Sequence, residues 1–395
     1  MQMGRTETPS VLNLRAGEIV EVLSKNEILA TLDPGGRKEG LPFMPEMLQY
    51  CGKKFRVYKR ADKTCDTIGK TGSRRMENTV HLEGLRCDGE AHGGCQAGCL
   101  IFWKEAWLKR AQTSVSQKST VKDVRSIALL NTTPSQGETY SSTEDTIFRA
   151  TRRETDPAGL DEETFSCQAT ELSKATSYLA WWDIRQYVRD IRSGNVGLLE
   201  FGRGTAISIY NTLLGIIRDC VFGAGHLVSA RLVADAGPNN SGGSLQLASG
   251  TDKIVDRAKT AVGNLLAKYP HVQGELRKTP SIVLNLRPGE FVQVKTKEEI
   301  LATLDIHNKN RGLSFDVEMV PYCGKTYRVL RRVEKIIDEK TGRMLKLPNN
   351  CVILDGVFCR GCFSENRLFC PRSIYPYWHE IWLRRVASRL DHEVS

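Results

Sequence analysis

Cys51, Cys65, Cys87, Cys95 and Cys99 fall within the first hundred residues, with His81 and His92 among them. Thiolate and imidazole are the donors that borderline-soft metals select. Zinc takes four of them in a tetrahedron, and an iron–sulfur cluster takes four thiolates. The densest stretch runs from Cys87 to Cys99 and is punctuated by Gly89, Gly93, Gly94 and Gly98. Glycine accepts backbone angles that other residues resist, so this loop can turn several sulfurs toward one point. The pattern predicts a metal drawn from Cys65, Cys87, Cys95, Cys99, Cys51 and His92. Zinc is the expected ion, and the alternative is an iron–sulfur cluster, which the spacing favours less because it lacks the two-residue thiol run of ferredoxin-type sites. Cys95 and Cys99 also lack the two-residue separation of a thioredoxin-like redox pair. No catalytic residue is read directly. With an open coordination position, His81, His92, Asp88 or Glu90 would be the acid, base or extra ligand of a metalloenzyme.

The chain has 395 residues, twelve of them cysteine, and a formal charge of +10. Its opening, MQMGRTETPS, shows no basic segment followed by an apolar run, so neither a secretory signal nor a transit peptide is read and a cytoplasmic location is expected. Cytosolic thiols stay reduced, which favours metal ligands over a disulfide framework. The positive charge favours an anionic or protein partner, nucleic acid included. Yet Lys53, Lys54, Arg56, Lys59 and Arg60, like Arg328, Arg331 and Arg332, are scattered along strand-like segments. There is no phosphate-binding glycine loop, Ser/His/Asp arrangement or histidine metalloprotease motif to supply a reaction.

A shift of 272 residues carries Asn13-Leu14-Arg15 onto Asn285-Leu286-Arg287, Glu27 to Asp33 onto Glu299 to Asp305, and Tyr50-Cys51-Gly52-Lys53 onto Tyr322-Cys323-Gly324-Lys325. Self-similarity over about a hundred residues implies two folding units of one type. Cys51 then matches Cys323, Cys87 matches Cys359, and Cys99 matches Cys370 after a one-residue slip. Cys65 has no counterpart. A candidate second metal site comprises Cys323, Cys351, Cys359, Cys362 and Cys370, read as weaker or altered because its loop has lost most of the glycines. Cys51 and Cys323, beside Tyr50 and Tyr322, are equally explained as small buried hydrophobes.

The elements that must position these residues are short. Glu18 to Leu23, Lys54 to Lys59 and Thr79 to Gly84 alternate apolar with polar, the period of a half-buried strand, and Asn26 to Leu32 reads as a short helix or turn. The expected fold is mainly β with α additions: two diverged SH3-like small β-barrel modules joined by a partly disordered, partly helical insert. The boundaries are 8–110 and 279–388 for the modules, 111–165 for a flexible linker with no site, and 166–270 for the helical insert. Trp103/Trp107 and Trp378/Trp382 share a four-residue spacing that predicts one helical face packed on each barrel. Helical patterns run from Thr170 to Arg192, Val196 to Phe222 and Thr251 to Tyr269. The second carries Glu200, Arg203, Arg218 and Asp219, so no transmembrane span is expected, and it lies against a barrel or against a membrane surface. Cys167, Cys220 and His226 lack ligand-like spacing.

The run from Cys87 to Leu108, with Leu41 to Met47 upstream, resembles bacterial proteins that occur in single-module and double-module forms. The resemblance covers both repeats and implies a recurring module with no particular activity. Three functions follow in order: a non-catalytic, metal-stabilised interaction module; a metalloenzyme or iron–sulfur enzyme with its site in the first copy; and a nucleic-acid-binding protein.

Overall fold

The computed structural model describes residues 11–111, 142–152, 163–209, 272–363 and 367–386. The protein is mainly β. One five-stranded antiparallel sheet has the order Leu100–Lys104, Thr79–Arg86, Lys54–Arg60, Ile19–Val22, Leu108–Arg110. A second has the order Trp378–His379, Met344–Leu354, Thr326–Ile337, Phe291–Val294, Leu383–Arg385, which is the same order in the same chain direction. In each sheet the two edge strands are joined by a single 3-10 turn, Glu105–Trp107 or Glu380–Trp382. Three residues can reach from one edge to the other only if the sheet curls back on itself.

Local chemistry explains the small helix between the first two strands. Ser24 accepts from the Glu27 amide while Glu27 reaches back to the Ser24 amide at 2.8 Å, closing a capping box over Lys25–Leu29. Thr296 and Glu299 repeat it for Lys297–Leu301. Each sheet wraps its own apolar cluster. Phe43 stands edge-on to Trp103 and Trp107 at 6.3 and 5.2 Å, and Phe315 to Trp378 and Trp382 at 6.2 and 5.4 Å. All four tryptophans are fully buried. Their role as packing residues is as expected, but the helix is not: Trp103 and Trp378 lie on strands and Trp107 and Trp382 on the following 3-10 turns. Both rings of each pair nonetheless meet one phenylalanine, Phe43 or Phe315.

A buried carboxylate ties down the chain entering each sheet. Glu105 accepts from the amides of Asn13 and Leu14, both at 2.9 Å, and from Arg60 at 2.7 Å. Glu380 accepts from Leu284, Asn285 and Leu286 and from Arg332 at 2.7 Å.

The insert differs from its expected form. Thr170 to Arg192 is not one helix but Leu172–Ala175, a strand Ser177–Leu179 and Arg185–Arg192. The strand pairs with Ser73–Arg75, which pairs with Lys63–Cys65, so edge pairing overrides helical periodicity. Part of the expected linker is structured: Glu144–Arg149 is a helix and Phe165 is buried against Cys95 and Ile337. Residues 198–209 are helical, while 210–222, all of 251–269, Cys220 and His226 lie outside the described residues. Among the described residues no helix is long and apolar enough to cross a membrane.

The two halves are intimately joined. Each sends a hairpin onto the other: Cys65 donates its amide to Cys370 Sγ at 3.2 Å, and Ile337 donates its amide to Cys95 Sγ at 3.3 Å. The 272-residue shift carries 65 to 337, so these two contacts are equivalent. Thr67 and Glu339, another pair at that shift, hydrogen-bond to one another, and Arg372 bonds both of them.

Candidate metal centre

The loop after strand Thr79–Arg86 leaves at Cys87 and returns at Cys99, where the Cys87 amide donates to the Cys99 carbonyl at 2.9 Å. This closes the loop's neck. Gly89 adopts φ +79°, and a Cβ there would stand 2.0 Å from the Cys95 carbonyl oxygen. Only glycine permits that approach. The tightened loop makes a 3-10 turn, Glu90–His92, which turns His92 inward until it is 1% exposed. A second 3-10 turn, Pro45–Tyr50, brings Glu46 against it.

Glu46, Cys87 and His92 therefore converge, with ligand atoms all within 4.8 Å of one another. Cys87 Sγ is 3.3 Å from His92 Nε2, and His92 Nδ1 is 4.0 Å from Glu46 Oε1. Both Glu46 oxygens and His92 Nδ1 are buried without a hydrogen-bond partner. The Cys87 thiol approaches the carboxylate without closing a bond of ordinary geometry. Orphaned buried acceptors are costly, and a cation among them would satisfy all three. The cluster can hold a metal ion.

Burial sets the protonation of the metal-free groups. It pushes the Glu46 carboxyl up to about 6 and the His92 imidazole down to about 4. It also raises the Cys87 thiol well above the usual range, Cys99 to about 11 and Cys167 to about 12. Burial thus holds the thiols and the imidazole neutral near pH 7, and a metal would have to displace the thiol protons. The site opens on a cavity of about 40 Å³ also lined by Cys95, Cys99 and Cys167. That is room for an ion and a water or two.

The expected ligand set is divided by the fold. Cys87 and His92 meet, and Cys95 and Cys99 line the same cavity. Cys65 lies instead with Cys370 of the other half, because its hairpin crosses over. Cys51 ends the Pro45–Tyr50 turn, half-buried against the first core, and Cys323 does the same in the second. Cys351 is buried on its strand with Val333 and Ile353. Cys359 and Cys370 line a cavity with Cys65, and Cys362 turns its sulfur toward the Arg360 carbonyl at 3.7 Å. His81 is a core residue bonded to the Ile101 carbonyl, and Asp88 and Glu90 are exposed.

Two residues of the cavity escaped the sequence pattern. Glu46 is a single acidic residue in an apolar run, although its counterpart at the 272-residue shift, Glu318, repeats it beside the second loop. Cys167 comes from the insert, held by Gln168, whose side chain bonds both Phe102 backbone groups and the Pro42 carbonyl. The pairing of Cys99 with Cys370 is also corrected. The Cys359 amide donates to the Ile374 carbonyl as Cys87 does to Cys99, so Cys99 matches Ile374 and Cys95 matches Cys370. No protein-family model matches the chain, and no curated protein or solved structure is significantly similar to it.

Proposed function

We propose that this protein is a non-catalytic interaction module built on two diverged SH3-like barrels, with the first barrel's loop fixed by zinc at Glu46, Cys87 and His92 and with Cys99 as fourth ligand. The observation that carries the reading is the set of buried, unpartnered acceptors on Glu46 and His92 beside the Cys87 thiol. A mixed thiolate, imidazole and carboxylate set suits zinc. The cavity's small volume supports a structural ion, since substrate pockets commonly span roughly 300–1,000 Å³. An exposed apolar group on the insert, Tyr178, Trp181, Trp182 and Ile184, favours a protein partner over an anionic one.

Elemental analysis of anaerobically purified full-length protein tests the metal. Zinc in the wild type, reduced by one equivalent in both Cys87→Ala and His92→Ala, is the expected result. Iron with acid-labile sulfide would replace the reading by a cluster on Cys87, Cys95, Cys99 and Cys167, which share the cavity. No change in metal content in either variant would refute it. Steep salt-dependent binding to generic DNA would replace the protein partner by nucleic acid.

A further inference from the structure

Where the first half's hairpin crosses to the second, three contacts run in one register. Lys63 Nζ donates to the Leu368 carbonyl at 2.7 Å, the Cys65 amide to Cys370 Sγ at 3.2 Å, and Arg372 Nη1 to Thr67 Oγ1 at 3.0 Å, each across 305 residues of sequence. The outer two contacts hold the backbones side by side, and between them the Cys65 thiol donates to the Cys370 sulfur. Two thiols are thus fixed against one another by ties that do not themselves involve sulfur. The reciprocal crossing lacks this arrangement, because Ile337 gives its amide to Cys95 Sγ but brings no thiol.

The surroundings make Cys370 the nucleophile of the pair. Besides the Cys65 thiol, its sulfur accepts from the Arg372 amide, and Arg372, Lys63 and Arg367 lie close enough for their charges to act on it. Donors and cations that meet a sulfur favour its thiolate, and here they hold Cys370 below the ordinary thiol range in spite of its burial, while Cys65, as the donor, is pushed up. Both sulfurs line a cavity of about 340 Å³ bordered by the exposed residues Gly312 and Ser314, so a small polar reagent can enter. Phe369, next to Cys370, is held at φ +59°, a left-handed conformation that bulky residues seldom adopt outside functional sites. Cys359 lines the same cavity, but burial pushes its thiol up. Cys362 turns its sulfur to the Arg360 carbonyl, and among the described residues these four cysteines form no group of three at metal-binding distance. The chemistry available is that of a pair.

We infer that Cys65 and Cys370 are a thiol pair oxidised by hydroperoxides, whose disulfide fastens the first half's hairpin covalently to the second half. The Cys370 thiolate attacks one oxygen of hydrogen peroxide. The S–O bond forms as the O–O bond breaks, and the departing hydroxide takes up the proton that Cys370 released. Cys65 then attacks the sulfur of the resulting sulfenic acid. The S–S bond forms, the S–O bond breaks, and the hydroxyl leaves as water with the proton of Cys65. Two thiols and one peroxide give one disulfide and two waters, with two electrons passing from sulfur to oxygen. An added dithiol reverses the link by exchange. The pair shares no residue with the Glu46, Cys87 and His92 site and stands independently of it.

The test is a hydrogen peroxide titration of the full-length, reduced chain, stopped in acid, alkylated under denaturing conditions with N-ethylmaleimide, and digested without reductant for mass spectrometry. The expected product is a pair of peptides joined through Cys65 and Cys370, two hydrogens lighter than the free pair and separated by dithiothreitol. It should form at lower peroxide than oxidises Cys362, whose sulfur faces a carbonyl and no thiol. In Cys65→Ser the second step has no partner, so dimedone should trap the sulfenic acid on Cys370. Recovery of Cys65 and Cys370 as maleimide adducts once Cys362 is oxidised overturns the proposal, and the wild-type protein alone decides that. So does a link from Cys370 to Cys359 in place of Cys65, or the absence of a dimedone adduct on Cys370 in Cys65→Ser.

Discussion

His81 supplies a pH dependence that can be worked out in advance. Its ring is fully buried, and its Nδ1–H donates to the Ile101 carbonyl at 2.9 Å while Nε2 has no partner. Burial pushes the imidazole down to about 3, and the charges of Arg86, Arg372 and Lys59 push the same way. The unfolded chain takes up a proton near pH 6.5, which the folded chain refuses until about pH 3. Stability from this residue is therefore intact above pH 6.5 and is lost as pH falls through that window. Each unit is worth about 1.4 kcal/mol, so the loss at pH 5 is roughly 2 kcal/mol. His81→Phe keeps the ring that meets Phe102 at 4.5 Å but removes the titration. It leaves the Ile101 carbonyl unpaired, costing about 1 kcal/mol at neutral pH. Urea unfolding followed by tryptophan fluorescence at pH 7.5 and pH 5 reads both effects. The wild type should lose roughly 2 kcal/mol more than the variant between the two conditions. Other histidines titrate in both proteins, so they cancel in the difference. Equal losses would refute the view that the fold holds His81 neutral.

Glu105→Gln should destabilise the first half by roughly 2 kcal/mol, since it removes the charge that Arg60 and two amides share, and Glu380→Gln should do the same in the second. Denaturant midpoints of the single and double variants check both the size and the additivity. Gly89→Ala forces a left-handed backbone on alanine, costing about 1–2 kcal/mol before its clash with Cys95, and should weaken metal retention against a chelator as well as stability. Cys167→Ala should leave zinc content unchanged, because the proposed zinc ligands do not include it. If it abolished metal binding, the cluster alternative would gain its fourth thiolate.

Period-two alternation in Glu18 to Leu23 and Lys54 to Lys59 made the central strands legible, and Ser24 with Glu27 marked the helix between them. Thr170 to Arg192 misled because residues 177–179 gain more by pairing with the exposed edge of Ser73–Arg75 than by continuing a helix. That edge belongs to a segment a hundred residues away, so no local pattern announces it.

The candidate site shows the same division between local and distant information. Cys87 and His92 are five residues apart in a glycine-bearing loop, and the loop's own geometry brings them to 3.3 Å. Cys65 is also near Cys87 in sequence, and proximity alone groups them. Its hairpin instead crosses to the other half, where its amide meets Cys370 at a separation of 305 residues. Ile337 makes the reciprocal crossing to Cys95, which shows that the exchange belongs to the architecture and not to the cysteine. A sulfur placed at position 65 is thereby delivered to the second loop, while the equivalent position delivers only a methyl-bearing side chain to the first. The asymmetry between the two halves then has a physical cause. The first cavity draws its remaining donors from Glu46 and His92 within its own half, and the second draws a thiol from its neighbour.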